Sequence, residues 1–505
     1  MRRLLISSLL AAAALVLPAC GSSSSGGSGT TNPADAAPAN SLLYANVAIR
    51  PSGDLKSSFD SAAKKVLNGA DPGQKIQQGL NQALSQAKMN YKDDVKPWLG
   101  ERAGFFLSSI SSGSASGAAL IDSKDDSKAK STLEKAIKSD GTKLSSKSFK
   151  GVDYETTPSS GSSTGAFAVD DGLVIIGTDQ GVKDAISARK GSALADASAY
   201  KTATGKVTKD GLALFYVDTP KLLDAAAQAN PQTAALIQSL KDSPSVQNLK
   251  PTAAAMTVKS DSVAFEVPAS HALSASHPIG DLPSDAWLAL SVGGLGDNIR
   301  KSLQAFSAAG QAQTLQLLES QIKARTGLDL QPDLLSWLTD FSGFIAGTPT
   351  SFAAGAILGS NDPSASRKAV VRIGRALSRR AGLPVAPRAN GFSIRSPQGD
   401  VAILSKGDEV IAALGKDAVA KTENPSSKLS SDPTFQAAEQ AMGDGAKPAL
   451  YLSLPTALQY AALGGSANDP SFQSAQPYLR HLTYLAVGTA QGGGGTVGRV
   501  VIGLK

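Results

Sequence analysis

A serine between glycines, serines one helical turn ahead of lysines, a glycine-rich turn and paired carboxylates are the arrangements in this sequence whose spacing could support chemistry. Gly161-Ser162-Ser163-Thr164-Gly165 has the letters of a nucleophile elbow, which exposes a serine at a sharp turn from strand into helix. Here a Ser/Gly-rich stretch instead leads into a strand pattern, Ala166-Phe167-Ala168-Val169. Ser61-Ala62-Ala63-Lys64 and Ser127-Lys128-Ala129-Lys130 have S-x-x-K spacing but lack the Ser-Asp-Asn and Lys-Thr-Gly partners of a penicillin-recognising site. Gly493-Gly494-Gly495-Thr496-Val497-Gly498 follows G-x-G-x-x-G, yet a dinucleotide site needs a helix next, so that its N-terminus meets the pyrophosphate. The chain continues as Arg499-Val500-Val501-Ile502, a strand pattern. His271, His277 and His481 are the only histidines, and the first two lie six apart without nearby cysteine or paired carboxylates, a poor zinc set. Asp93-Asp94 and Asp170-Asp171 fall at turns, where such residues are ordinary. The expectation is a chain without catalytic residues, metal or cofactor. Trp98 and Trp337 each open a Phe-containing strand and read first as core or lid residues, and second as candidates for stacking a ligand.

The one residue whose context points to covalent chemistry is Cys20. It follows Met1-Arg2-Arg3 and an apolar run from Leu4 to Leu17, the layout of a secretory leader, and that run is too short for a membrane span of about 20 residues. Leu17-Pro18-Ala19-Cys20-Gly21 resembles the lipobox of bacterial lipoproteins, whose cysteine receives a thioether-linked diacylglycerol and becomes the first mature residue. Pro18 departs from the usual small or hydroxylated residue. Cys20 is the only cysteine, so it closes no internal disulfide, and an exported protein avoids an idle thiol. Two or three acyl chains on one residue give a lasting anchor where one gives a marginal one. The reading is therefore residues 1–19 as signal peptide and 20–39 as lipidated cysteine and Ser/Gly/Pro tether, with the protein extracytoplasmic and held to the cell membrane through Cys20.

Stepping along the rest, about 465 residues remain, enough for two cores of about 225. Without Arg2 and Arg3 the chain has 47 basic and 42 acidic residues, interspersed, with no basic block carrying aromatics of the kind nucleic-acid binding needs. A solvated surface is the first reading of these charges, and a mild preference for anionic lipid or an envelope polymer is the alternative.

The chain also repeats itself. Asp94-Val95-Lys96-Pro97-Trp98-Leu99 with Ala103-Gly104-Phe105-Phe106 returns, offset by 239 positions, as Asp333-Leu334-Leu335-Ser336-Trp337-Leu338 with Ser342-Gly343-Phe344-Ile345. Pro38 to Leu43-Tyr44-Ala45 parallels Pro283 to Leu288-Ala289-Leu290, Leu173-Val174-Ile175-Ile176 parallels Val410-Ile411-Ala412-Ala413, and Val217-Asp218-Thr219-Pro220 parallels Leu452-Ser453-Leu454-Pro455. Matches in one order at so long a period read as a domain duplication, not a solenoid. The expected domains are 40–267 and 283–505, joined by a linker over 268–282.

Within the first copy, strand patterns cover Leu42–Ile49, Gly104–Leu107, Ala118–Ile121, Val152–Tyr154, Ala166–Val169, Leu173–Ile176 and Leu212–Val217, then a closing hairpin of Ala253–Val258 and Val263–Val267. Asp170-Asp171-Gly172 is a hairpin signal. Helical spacing covers Ala129–Ile137, Gly181–Ala188 and Lys221–Ala227. Hairpins dominate, so each copy should be α+β: a mainly antiparallel sheet with helices packed on one face.

The Leu-Leu-Tyr opening strand, the Lys96-Pro97-Trp98-Leu99-Gly100 turn, Gly151-Val152, Leu173-Val174-Ile175-Ile176-Gly177 and Ser192-Ala193-Leu194-Ala195 before Tyr200 resemble a family of bacterial lipoproteins and membrane-anchored proteins, common in actinobacteria, classed as domain of unknown function 3352. The resemblance implies an envelope location and no established activity. The functional expectation is a non-enzymatic envelope lipoprotein that binds or scaffolds a lipid, peptide or envelope protein, its sharper form carrying an apolar or acylated ligand. An extracytoplasmic hydrolase assembled from both copies and a purely structural interaction module are the alternatives. No nucleic-acid partner is expected.

Overall fold

In the hairpin at Asp170-Asp171-Gly172, Asp171 and Gly172 both take positive φ (44° and 77°), the backbone that a tight turn between right-twisted strands requires. Similar local signals recur along the chain, and the computed structural model turns them into sheets. It describes residues 32–505 apart from 68–71, 86–88, 140, 160–163, 242–243, 270–274, 349–350, 382–383, 396–398 and 416. The chain divides into two compact units, Met1–Pro268 with Gly492–Val497, and Ala269–Gln491 with Gly498–Lys505.

Unit 1 opens with β1 (Leu43–Ala48), α1 (Gly53–Val66), α2 (Pro72–Leu84), β2 (Leu99–Ser111), β3 (Ser114–Ser123) and α3 (Asp126–Lys138). The strands β4 (Ser145–Phe149), β5 (Val152–Thr156), β6 (Gly165–Asp170) and β7 (Leu173–Thr178) follow, then α4 (Asp179–Arg189), α5 (Ser198–Thr204), β8 (Ala213–Val217), α6 (Thr219–Ala229), α7 (Pro231–Lys241), β9 (Thr252–Lys259) and β10 (Ser262–Pro268). Antiparallel pairing places these strands in the order β4-β5-β6-β7-β3-β2-β1-β8-β9-β10.

Unit 2 runs β11 (Ala286–Val292), α8 (Leu295–Phe306), α9 (Ala312–Thr326), β12 (Leu338–Thr348), β13 (Ser351–Ser360), α10 (Pro363–Ala381), β14 (Val385–Arg388), β15 (Gly391–Ile394), β16 (Val401–Lys406) and β17 (Glu409–Gly415). It ends with α11 (Ala418–Glu423), α12 (Pro433–Met442), β18 (Lys447–Ser453), α13 (Leu454–Leu463), α14 (Pro470–Leu479), β19 (Leu482–Gly492) and β20 (Gly495–Leu504). Its order, β14-β15-β16-β17-β13-β12-β11-β18-β19-β20, repeats that of unit 1 strand for strand. The fold is α+β with mainly antiparallel sheets.

Three expectations change. Helices pack on both faces of the sheet, not one. In unit 1, Ala166, Ala168 and Ile175 join α4 and α5 through Val182, Ala185, Ile186 and Tyr200, while their strand neighbours Phe167 and Val174 point the other way and join α3 through Ala129, Leu133 and Ala136. The runs Ala166–Val169 and Leu173–Ile176 are continuously apolar because each strand is covered twice.

The second change concerns the tether. Asn32 caps a 3-10 turn, Pro33–Asp35, and Ala34, Ala36 and Ala37 are buried in the core beside Tyr44 and Phe106. Pro38 bridges Ala193, and Ala39 N–H donates to the Ser192 carbonyl at 2.9 Å. Residues 33–39 are therefore part of the folded body. The expected linker changes likewise: Ile279 and Leu282 are buried, Pro283 bridges Lys428, and Ser276 N–H donates to Asp340.

The third is register. Tyr44 faces Phe106 and Ala289 faces Phe344, so Phe106 is matched by Phe344, not Ile345. The bulge after Leu99 carries one more residue than the one after Leu338, which shortens the 239-residue offset by one. The shift persists in β7, where Val174, not Leu173, occupies the place of Val410.

Candidate functional site

The residues singled out by sequence are positioned as framework. Trp98 is buried and its Nε1 donates to the Asp94 carbonyl at 2.9 Å, while Trp337, also buried, donates to the Asp333 carbonyl at 3.1 Å. Each indole closes a turn of π-helix, Tyr91–Val95 or Leu330–Leu335. The Asp94 carboxylate accepts Asn90 N–H at 2.9 Å and pairs with Lys135, and these contacts hold its pKa below the ordinary 3.8 against the opposing pull of burial. Asp333 accepts Asp329 N–H and is met by Arg372. At 4% exposure neither indole offers a ring face to a ligand, so Trp98 and Trp337 are core residues, the first of their two readings, and the second, ligand stacking, does not fit this structure.

The remaining polar candidates are also structural. Ser61 bonds back to the Ser57 carbonyl on α1, and Lys128 pairs with Asp125 at the head of α3. Asp170 and Asp171 both receive Arg189. His277 meets Glu409 at 2.6 Å, and Ser342 lies nearby, but its hydroxyl is buried and donates to the His277 carbonyl, not to the ring. A base that never touches the hydroxyl cannot activate it. Most of Gly161–Gly165, His271 and Cys20 lie outside the described residues. The described residues hold no group of three His, Cys, Asp or Glu side chains able to bind a metal ion, and no helix among them is long and apolar enough to cross a membrane.

On the inner side of the unit 1 sheet, Tyr44, Tyr200 and Tyr216 pack edge to face at 5.8 and 5.3 Å. Burial pushes Tyr200 and Tyr216 up to about 12 and Tyr44 well above the ordinary phenol range, so all three stay neutral. They form a core, not a reactive centre.

The outer side differs. Across the sheet, Phe105, Ala45, Phe215 and Ala254 stand directly opposite one another on successive strands, and Val267, two residues beyond Phe265 on β10, shares their face. Two residues along, the next row holds Val47, Ala213, Met256 and Phe265. Their inner-face neighbours are buried, but Phe105 is 38% exposed, Phe215 and Phe265 43%, and Val267 50%. Helices enter this face from opposite ends of the strands: α1 leaves the Ala48 end and packs on β9, and α6 leaves the Val217 end and packs on β2. The helix α6 buries none of its residues fully despite Leu222, Leu223 and three successive alanines. Between α6, α7 and the turn Pro244–Gln247 lies a cavity of about 310 Å³ lined by Pro220, Leu223, Lys241, Val246 and Leu249, with the Lys241 ammonium held by Asp224.

Unit 2 has the same layout in aliphatic form. Ile345, Leu288, Leu452 and Leu485 make one outer row, half-buried throughout, and α13 lies over β11 and β18 with no fully buried residue. Tyr460 of α13 stacks on Trp287 at 4.6 Å. Alternation in β1, β2 and β8 had marked these strands, but their outer apolar residues became visible as a surface only once register put them in rows.

Comparison with known proteins adds a family and little else. Residues 4–496 match the family described as "Protein of unknown function (DUF3352)". No curated protein matches the chain. Solved structures similar to it include crystal form I of TP0453, at 7% identity over 77% of this chain and 93% of that chain, with a TM-score of 0.16, too low to support any argument.

Proposed function

We propose, from the premise that this chain belongs to the DUF3352 family of proteins of unknown function, that it is a non-enzymatic, lipid-anchored envelope protein that binds the acyl chain of a lipid on the outer face of its unit 1 sheet. The observation that carries this reading is the row Phe105, Phe215 and Val267 with Phe265 beside it, an apolar strip that stays 38 to 50% exposed although α6 packs on β2 and α1 on β9. Such strips on otherwise polar surfaces mark binding grooves. The cavity between α6 and α7 reaches the lower end of ligand-pocket volumes, which run from about 300 Å³. An acyl chain that buries about eight methylenes at about 0.8 kcal/mol each gains about 6 kcal/mol, a dissociation constant on the order of tens of micromolar before ordering costs. A thioether-linked diacylglycerol on Cys20 would hold the protein at the membrane. Eleven residues separate Cys20 from Asn32, the first described residue, and the twelve steps between them reach at most about 43 Å. The strand order common to both units, with the repeated sequence, supports an internal duplication.

The test uses the full chain carrying Cys20→Ser, so that its own anchor does not occupy the groove. Mass spectrometry of organic extracts should recover acylated lipid, and a fluorescent fatty acid should bind. Phe215→Asp with Phe265→Asp should weaken that binding at least tenfold, while Leu463→Asp at the exposed end of α13 in unit 2 leaves it unchanged. Equal affinity in the double variant and its parent, or no lipid and no probe binding, would remove the reading.

A further inference from the structure

Between Pro363 and Gly399 the chain carries eight arginines and lysines and no carboxylate, more positive charge than the +7 of the entire chain. Six of the eight sit on α10. One side of that helix is committed to the core: Ala369 and Val370 are buried and Ile373 and Leu377 pack against the same cluster. The opposite side exposes Arg367, Val371, Arg375 and Arg379 at four-residue spacing, with Lys368 beside them. Arg372 is held by Asp333, but Arg367, Lys368, Arg375 and Arg379 form no ion pair among the described residues.

That arrangement has no internal purpose. Like charges four residues apart on a helix repel, so the stripe works against α10 unless an external anion answers it. The counterpart in unit 1, α3, follows the equivalent strand and is neutralised: Lys128 pairs with Asp125, Lys135 with Asp94 and Lys138 with Glu134. The α10 cations extend along about 18 Å of straight helix. Beside the helix, β14 is the edge strand of the unit, and its Arg388 is exposed too. Val371, the apolar residue within the stripe, is 42% exposed, and no aromatic platform for a base or sugar interrupts it.

We propose that the exposed face of α10 docks on an anionic lipid leaflet, Arg367, Lys368, Arg375 and Arg379 meeting lipid phosphates. The attachment is peripheral, since the apolar face of the helix is already used, and its strength comes from charge, about fivefold per basic residue near an anionic surface. The surface is separate from the acyl groove of unit 1 and does not depend on it.

Flotation of the full chain carrying Cys20→Ser, with vesicles of phosphatidylcholine alone or with phosphatidylglycerol, at low and high salt, tests this. Binding should require phosphatidylglycerol and fall away at high salt. Replacing Arg367, Lys368, Arg375 and Arg379 with Gln should reduce it roughly a hundredfold or more at low salt. Lys128→Gln with Lys138→Gln in α3 should leave it intact, and an unchanged thermal unfolding profile shows that the α10 variant is folded. Equal flotation of the α10 variant and its parent, or binding indifferent to phosphatidylglycerol, overturns the proposal. So does binding to soluble polyphosphate with no preference for vesicles, which would point to an anionic polymer instead.

Discussion

Asp94 shows how much a single carboxylate arranges in this fold. It accepts Asn90 N–H, receives Lys135, and its own carbonyl takes the Trp98 indole and the Thr132 hydroxyl, tying a π-helical turn to β2 and α3. Its folded pKa lies below the ordinary 3.8, so its contribution to stability is complete above that value and is lost as pH falls through the lower folded value. Denaturant unfolding followed from pH 7 downward should therefore show a loss below about pH 4 that Asp94→Asn does not share. Asp94→Ala should cost about 1 to 2 kcal/mol at pH 7 through the unsatisfied Asn90 amide, while an unchanged midpoint would show that Lys135 and solvent replace it. The sequence made Asp94 and Asp333 visible as members of the repeat, each four residues before a tryptophan. It could not show that each indole turns inward, since that depends on a hydrogen bond to a backbone carbonyl four residues back.

Among the elements, those with a helical period or an apolar run were legible and those without were not. Strands β1, β3 and β5 to β10 and helices α3, α4 and α6 lie where apolar runs, hairpin signals and helical spacing put them. The two unit entrances, Pro33–Asp35 and Ile279–Asp281, are short 3-10 turns in which composition suggests a tether or linker, although Ala34 and Ile279 are almost fully buried. What fixes them is tertiary: Leu194 N–H donates to the Ala37 carbonyl and Leu429 N–H to the Leu282 carbonyl, both at 2.7 Å. Even Gly104 is shaped by this segment, for a Cβ there would lie 2.7 Å from Pro33 Cβ. Ala36→Glu should accordingly destabilise the protein by roughly 3 kcal/mol or more, since a carboxylate would enter an apolar core without a partner, whereas a tether would absorb the change within about 0.5 kcal/mol. A denaturation midpoint that does not move would return residues 33–39 to the tether. The cations of α10 are dense in the sequence, six between Arg367 and Arg380, but they become a stripe on one side only when a helix brings every fourth residue into line.

At the scale of the whole molecule, two attachments of different physics are proposed for one protein, and a pair of substitutions separates them. Acyl chains on Cys20 would hold through apolar burial, which salt does not weaken, whereas the α10 stripe would act through charges that salt screens. Membranes from cells producing the parent protein should keep it through a high-salt wash, and so should membranes carrying the Gln variant at Arg367, Lys368, Arg375 and Arg379, because the proposed thioether anchor would be intact in both. A Cys20→Ser chain should remain with membranes at low salt and leave them at high salt, and combining it with the α10 variant should release it under both conditions. Retention of Cys20→Ser after the salt wash would contradict anchoring through that thiol. Release of the α10 variant with Cys20 intact would show that the helix, and not the lipid, holds the protein in place.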